Sequence, residues 1–262
     1  MTNDSNLIYK YTPHNKRHKY DIIKKNELWF AEFNSLNDPL DLNLAFKSKY
    51  SNDEIRAYWE SESHKNPKQN LTENLKKYGN NENFVKYQRQ KFRALKSLIG
   101  ILCMTTNPKN ILMWAHYANG HKGVVYEFDE NLFQNSKNED LQKMPLYMKY
   151  ISSYEPLSYI PQNGENKLLQ FTKSLQMKAQ DWEYEREVRF FNMGTSGIAI
   201  NFNPTSLKTI IFGERTPKGE IRKTISFCQD NHSLNHIHFK QAKFIDGKFK
   251  LRLETLNPKD FK

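Results

Sequence analysis

The run Leu98–Thr106, LIGILCMTT, is apolar at almost every position, with no alternation. Continuous apolar content over so short a length marks a strand buried on both faces. It belongs in the interior of a sheet, and the rest of the chain supplies candidates for its neighbours. LIYKYT alternates and is ended by Pro13, Glu27–Phe33 reads as a strand, and GVVYEF as another. HIHFKQAKF and KFIDGKFKLRLETL close the chain, the second as a hairpin turning at Asp246-Gly247. Helical patterns lie between them. A short helix follows Pro13, and residues 48–97 are polar, lysine-rich and helical, with a loop at Asn80-Asn81. Asn107 caps a helix that Gly120 and Gly123 end, and Leu168, Phe171, Leu175 and Trp182 keep helical spacing. Another helix begins near Pro217. The stretch from Asn131 to Gly164, with its prolines and tyrosines, reads as surface wrapping. The expectation is an α+β fold: one domain over 1–262 with a mixed or antiparallel sheet core, carrying a basic helical insertion at 48–97.

Composition excludes several classes. With 37% hydrophobic and 13% aromatic residues, the chain can build a core and is not of disordered type. No stretch has the apolar length of a membrane span, and the N-terminus lacks the apolar segment of a signal peptide. Cys103 and Cys228 lie in apolar stretches without CxxC spacing, which fits reduced thiols in a cytoplasmic protein. No P-loop, GxGxxG or HExxH motif occurs, and the scattered His14, His18, His232, His236 and His238 form no metal signature. The formal net charge of +11 favours polyanionic partners such as nucleic acid or nucleotide phosphates, and is equally the drift of a lysine-rich composition.

Against that charge, Asp181–Phe191 reads DWEYEREVRFF. Taken as a strand, it sets Glu183, Glu185, Glu187 and Arg189 on one face, with carboxylates roughly 7 Å apart. Trp182, Tyr184, Arg186, Val188 and Phe190 take the other. Two readings stand open: a half-exposed strand with a charged outer face, or a carboxylate site.

Other residues carry paired readings. Lys10 lies on the face opposite Tyr9 and Tyr11; it meets a phosphate or ribose, or it snorkels to water beside two core tyrosines. Trp114, His116, Tyr117 and His121 surround one short helix and its exit. One face of that helix serves the core, and His121, in a glycine-flanked loop, is the better candidate for phosphate or proton transfer. Asn37 and Asp38 cap a turn or hold a ribose. In VKYQRQKFRALK, Lys86, Arg89 and Arg93 fall on one helical stripe, to grip nucleic-acid phosphates or simply to face water.

In order along the chain, IYKY, LWFAEFNSLNDPLD, LMWAHYANGHKGVVYEF, WEYEREVRF and LKTIIFGERTP resemble the family numbered 2971 among domains of unknown function. The sequence departs from that pattern at CMTT and at Val188. A more distant resemblance is to arginine-type ADP-ribosyltransferases. Their blocks are a basic residue on the first strand, a Ser/Thr-rich middle strand and a late Glu-x-Glu strand. IYKYT, CMTT with Thr105 and Thr106, and Glu185-Arg186-Glu187-Val188 occur in that order, with Lys10 in place of the family's Arg or His.

The resemblance implies an ADP-ribosyltransferase-like fold that cleaves NAD, as substrate, at the nicotinamide bond. That cleavage develops positive charge on the ribose. Glu187 would stabilise the charge and hold a ribose hydroxyl, and Glu185 would orient or deprotonate the nucleophile. Tyr9, Lys10, Tyr11, Asn37, Asp38, Thr105, Thr106, Trp114, Tyr117 and His121 would hold NAD. The implied acceptor is nucleic acid, a protein or water, and the implied setting a toxin or antiviral effector. The other reading is a nucleic-acid-binding or nucleic-acid-processing defence protein without NAD chemistry, and a third is a noncatalytic nucleotide sensor.

Overall fold

The computed structural model describes residues 6–13, 21–42, 45–66, 68–160 and 167–261. His14 and His18 lie outside them, as does most of the short helix expected after Pro13. In chain order the strands are β1 (Leu7–Thr12), β2 (Glu27–Glu32), β3 (Gly100–Thr105), β4 (Val124–Asp129), β5 (Leu146–Tyr147) and β6 (Lys149–Ile151). They continue as β7 (Met177–Ala179), β8 (Glu187–Asn192), β9 (Ile198–Asn201), β10 (Leu207–Phe212), β11 (His238–Ile245) and β12 (Lys248–Thr255). The helices are α1 (Asn52–Lys65), α2 (Leu71–Tyr78), α3 (Asn81–Ser97), α4 (Ile111–Tyr117), α5 (Lys167–Gln176) and α6 (Lys218–Asp230). The class is α+β, with a large, mixed, mostly antiparallel sheet. Residues 6–32, 100–148 and 181–261 form one compact unit, and the described residues of 33–99 and 149–180 form a second.

The first unit is the large sheet. Its main path runs β12-β11-β10-β4-β1-β3-β2-β9, and β8 pairs with β3 and β5. Strand β10 runs parallel to β11; the other pairings of this sheet are antiparallel. Strand β3 is the hub, as its apolar run requires. All of it pairs with β8, while its opposite edge is divided: Thr105 pairs with Tyr9 of β1, and Gly100 and Ile101 pair with Glu32 and Ala31 of β2. Between these short pairings, Leu102, Cys103 and Met104 have no strand partner on that edge among the described residues. Gly100 sits where strands crowd; a Cβ there would come within 2.9 Å of the Phe30 side chain.

Alternation sorts the sheet into two faces. On one, Ile8, Leu102, Met104, Phe128, Val188, Phe190, Ile210 and Phe212 belong to a core cluster that also includes Ile221, Ile225 and Cys228 of α6. On the other, Tyr9, Tyr11, Val125 and Ile211 meet Met113, Trp114 and Ala118 at α4. The stretch after Asn131 is not all surface wrapping, since Leu132, Phe133 and Leu141 belong to the core.

The second unit is helical and aromatic. Ser51 and Glu54 form a capping box on α1, and Asn70 and Asn80 cap α2 and α3 through their side chains. Tyr50, Ile55, Tyr58, Trp59, Phe84, Val85 and Tyr159 make its core, with rings packed edge to face. Strand β6 pairs in parallel with β7.

The expected carboxylate ladder needs correction. Gln180–Glu185 form a 3-10 helix, and Arg186 takes a left-handed conformation (φ 44°) before β8 starts at Glu187. Glu183 and Glu185 are therefore off the strand, and only Glu187 and Arg189 share the face expected of them. The helix cap is also displaced: Asn110, not Asn107, accepts the amides of Leu112 and Met113, while Asn107 Oδ1 accepts that of Lys109 in a turn.

Candidate active site

Residues directly opposite one another in adjacent strands project to the same side of a sheet. The register Thr209–Glu127–Tyr9–Thr105–Glu187 therefore draws one polar row across β10, β4, β1, β3 and β8. A row of this kind inside a packed sheet is costly unless each group finds a partner. The partners are present. Thr209 Oγ1 donates to Glu127 Oε1 at 2.5 Å, and the Tyr9 phenol donates to the same carboxylate. Burial, reinforced by the Glu127 charge, drives the Tyr9 phenol well above its ordinary pKa.

Glu187 and Arg189, two residues apart on β8, form a bidentate pair at 2.7 and 2.9 Å, with relative exposures of 5% and 0%. Cys103, paired with Arg189 across the ladder, also hydrogen-bonds Glu187. Burial and the Glu187 charge push the Cys103 thiol up to about 12, against the opposing pull of Arg189 and Lys10. Lys10 Nζ donates to the Cys103 carbonyl at 2.8 Å, at the interruption in the β3 edge, in place of a missing ladder bond. Burial lowers the pKa of this ammonium; Cys103 and Glu187 pull it back up. Lys10 and Cys103 are intermediate in exposure as residues, while burial is the leading influence on both the ammonium and the thiol.

Glu185 joins from the 3-10 helix. Its carboxylate accepts the Tyr117 hydroxyl at 2.6 Å, and its carbonyl accepts Thr105 Oγ1 at 2.5 Å. Asn110 Nδ2 donates to the Tyr184 carbonyl at 2.8 Å, so both ends of α4 are tied to this segment.

The other expected site residues divide. Thr105 spends its hydroxyl on the Glu185 carbonyl and the Asn107 amide, and exposed Thr106 donates its amide to the Arg186 carbonyl. Tyr11 donates to the Asn107 carbonyl, and buried Trp114 donates to the Pro108 carbonyl, with the two rings edge to face. His121 adopts φ 67° at the loop apex, stacks on Trp114, and leaves Nδ1 buried without a partner; burial, then Arg215, lowers its pKa. Asn37 and Asp38 belong to the second unit, where Asp38 Oδ1 accepts the Leu40 amide in a turn. Lys86, Arg89 and Arg93 are exposed on α3 of that unit.

Sequence reasoning missed Glu127, Thr209 and the part played by Cys103. One signal for Glu127 was available: it is the lone carboxylate within the apolar strand GVVYEF.

Residues 113–190, from α4 to β8, match a family described as a protein of unknown function, DUF2971. IYKY, LWFAEFNSLNDPLD and LKTIIFGERTP lie outside the matched stretch. No curated protein and no solved structure matches the chain. Among the described residues, no group of His, Cys, Asp or Glu could hold a metal ion, and no helix is long and apolar enough to cross a membrane.

Proposed function

We propose that the polar row is the active site of an ADP-ribosyltransferase-like enzyme that cleaves NAD at the nicotinamide–ribose bond. One observation carries the reading: Tyr9, Thr105 and Glu187, from three blocks far apart in sequence, stand in one register across β1, β3 and β8. Glu187 would act as a fixed anion beside the ribose as positive charge develops there, the situation in which preorganised charge contributes most. The bidentate grip of Arg189 keeps that carboxylate oriented. Glu185, held by Tyr117, would orient the incoming nucleophile.

Tyr9 and Tyr117 would stand beside the dinucleotide on the face of the row, and Lys10, which projects from the other face of β1, would meet the diphosphate at the gap in the β3 edge where its ammonium reaches the Cys103 carbonyl. Thr105, Tyr11 and Trp114 shape this region through their bonds to backbone. The acceptor we assign is nucleic acid, on the net charge and the exposed stripe of Lys86, Arg89 and Arg93. That same stripe favours the second reading, nucleic-acid binding without NAD chemistry.

Incubation of the purified protein with NAD, with and without RNA or DNA, followed by mass analysis, tests both. Nicotinamide release that Glu187→Gln abolishes, with added mass on the polymer, is the expected result. Release at the wild-type rate from a folded Glu187→Gln protein would sink the assignment. Polymer binding with no turnover would favour the second reading.

A further inference from the structure

The second unit holds a built site that the polar row does not touch. Positions 88, 89, 92, 93 and 96 of α3 share one side of the helix. They line two adjoining hollows with a common wall of Phe46, Phe92 and Tyr159. Phe46 and Tyr159 stack with centroids 4.3 Å apart and an interplanar angle of 4°, and Phe92 meets Phe46 edge on at 4.6 Å. One hollow is mainly apolar, completed by Leu95 and Phe171, and the other is cationic, completed by Arg89, Arg93 and Lys96. Both are partly open to solvent.

Two features of this groove lack an internal purpose. Gln88, 5% exposed, lines the apolar hollow with Nε2 short of a well-formed hydrogen bond, the Tyr58 phenol being the group near it. A buried amide nitrogen of this kind costs free energy unless something accepts from it. In the other hollow, Arg89 contacts the Tyr159 phenol, and Arg93 lies close enough to Lys96 to disfavour its charge. No carboxylate among the described residues pairs with either arginine. Unbalanced cations beside stacked rings and a poorly met donor describe one class of ligand.

We infer that this groove binds a nucleoside 5′-phosphate. The base lies against the Phe46–Tyr159–Phe92 wall, where Gln88 Nε2 donates to a ring nitrogen or carbonyl, and the phosphate lies between Arg89 and Arg93. Forked guanidinium donors match phosphate oxygens, and base–aromatic stacking tolerates any base. The same chemistry could come from a free nucleotide or from the 5′-phosphorylated end of a single strand. The inference stands whether or not the first unit cleaves NAD, because it is read by binding and not by turnover.

The test is calorimetric titration of the full chain with AMP, adenosine, inorganic phosphate, and a short oligonucleotide with and without a 5′-phosphate. Saturable AMP binding is expected, weakened about tenfold or more by each of Arg89→Ala and Arg93→Ala. Gln88→Leu should weaken AMP binding while leaving the response to inorganic phosphate unchanged. Thermal unfolding of each variant checks that it is folded; both arginines are exposed, so their loss should leave the melting temperature near that of the wild type. AMP binding identifies a free nucleotide as the source. Binding of the 5′-phosphorylated oligonucleotide alone, sensitive to the same three residues, identifies a strand end. Binding of neither, or binding that both arginine variants retain in full, overturns the inference.

Discussion

The Tyr117 hydroxyl donates to Glu185 Oε1 at 2.6 Å, joining the last turn of α4 to the 3-10 helix that precedes β8. Glu185 is 3% exposed, so its carboxylate depends on protein donors in place of water. Tyr117→Phe leaves the ring and removes the donor. We expect a loss of about 1–3 kcal/mol in chemical denaturation, the cost of a buried acceptor left short of a partner. A variant as stable as the wild type would show that this bond does not fasten α4 to the segment.

The Glu187–Arg189 pair gives a sharper pattern. Each partner is buried, so removing one leaves the other short of its bidentate counter-charge, at a cost of about 3–5 kcal/mol. Replacing both with apolar residues of similar volume removes the under-paired charge. The double variant Glu187→Leu/Arg189→Met should therefore be more stable than either single variant. A double-mutant cycle from denaturation midpoints measures the coupling. Stability losses that simply add would mean the two residues act independently, against the geometry.

Alkaline pH should unfold the protein. Burial raises the pKa values of Tyr9, Tyr11 and Tyr159, and pushes the Cys103 and Cys228 thiols up to about 12. Each of these groups holds its proton more tightly folded than unfolded. Their contribution is therefore whole below the unfolded values, about 8.5 for a thiol and 10 for a phenol, and is lost as pH climbs through the folded ones. Lys10 and Lys96, lowered by burial, work in the opposite direction and are fewer. The expected observation is that phenolate absorbance appears in the same cooperative step as loss of circular dichroism. Gradual phenolate formation in a folded protein, accounting for every tyrosine, would contradict it.

Much of the sheet was legible because burial writes itself into local pattern. The apolar run at Leu98–Thr106 became β3, GVVYEF became β4, and Asp246-Gly247 turned the last hairpin. The segment DWEYEREVRFF was misread because alternating charge imitates a strand whether or not the backbone is extended. The reversal at Arg186 leaves no mark on residue type. Glu127 joined the site through the register of three strands, and Lys10 through the divided edge of β3; neither relationship exists in any local window. The aromatic groove likewise unites Phe46, α3 and Tyr159, which no helical stripe reveals.

Two loops bound for separate motifs meet at Gly213. A Cβ on this residue would stand 2.1 Å from the His121 carbonyl, which already accepts the Arg215 amide at 2.9 Å. Gly213 also donates its own amide to the Gly123 carbonyl at 3.0 Å. Gly213→Ala must push the two backbones apart, and we expect a loss of about 1–3 kcal/mol. The loss should come with a change in tryptophan fluorescence, since the Trp114 ring is 3.1 Å from the same point. Unchanged stability and fluorescence would mean the loops separate freely.

Lys10 separates a structural role from a functional one. Its ammonium is drawn into the interruption of the β3 edge, and burial there opposes its charge. A group kept at such a position for stability alone should be missed when it goes. A group kept for chemistry should not, since functional sites hold charges that the fold would be as stable without. Lys10→Met preserves the aliphatic stem and removes a charge that burial disfavours, which offsets the bond lost at the Cys103 carbonyl. We expect stability within about 1 kcal/mol of the wild type, the scale of a single exchanged hydrogen bond. Nicotinamide release from NAD should meanwhile fall steeply. A large drop in stability with turnover per folded molecule unchanged would assign Lys10 to the sheet and remove it from the site.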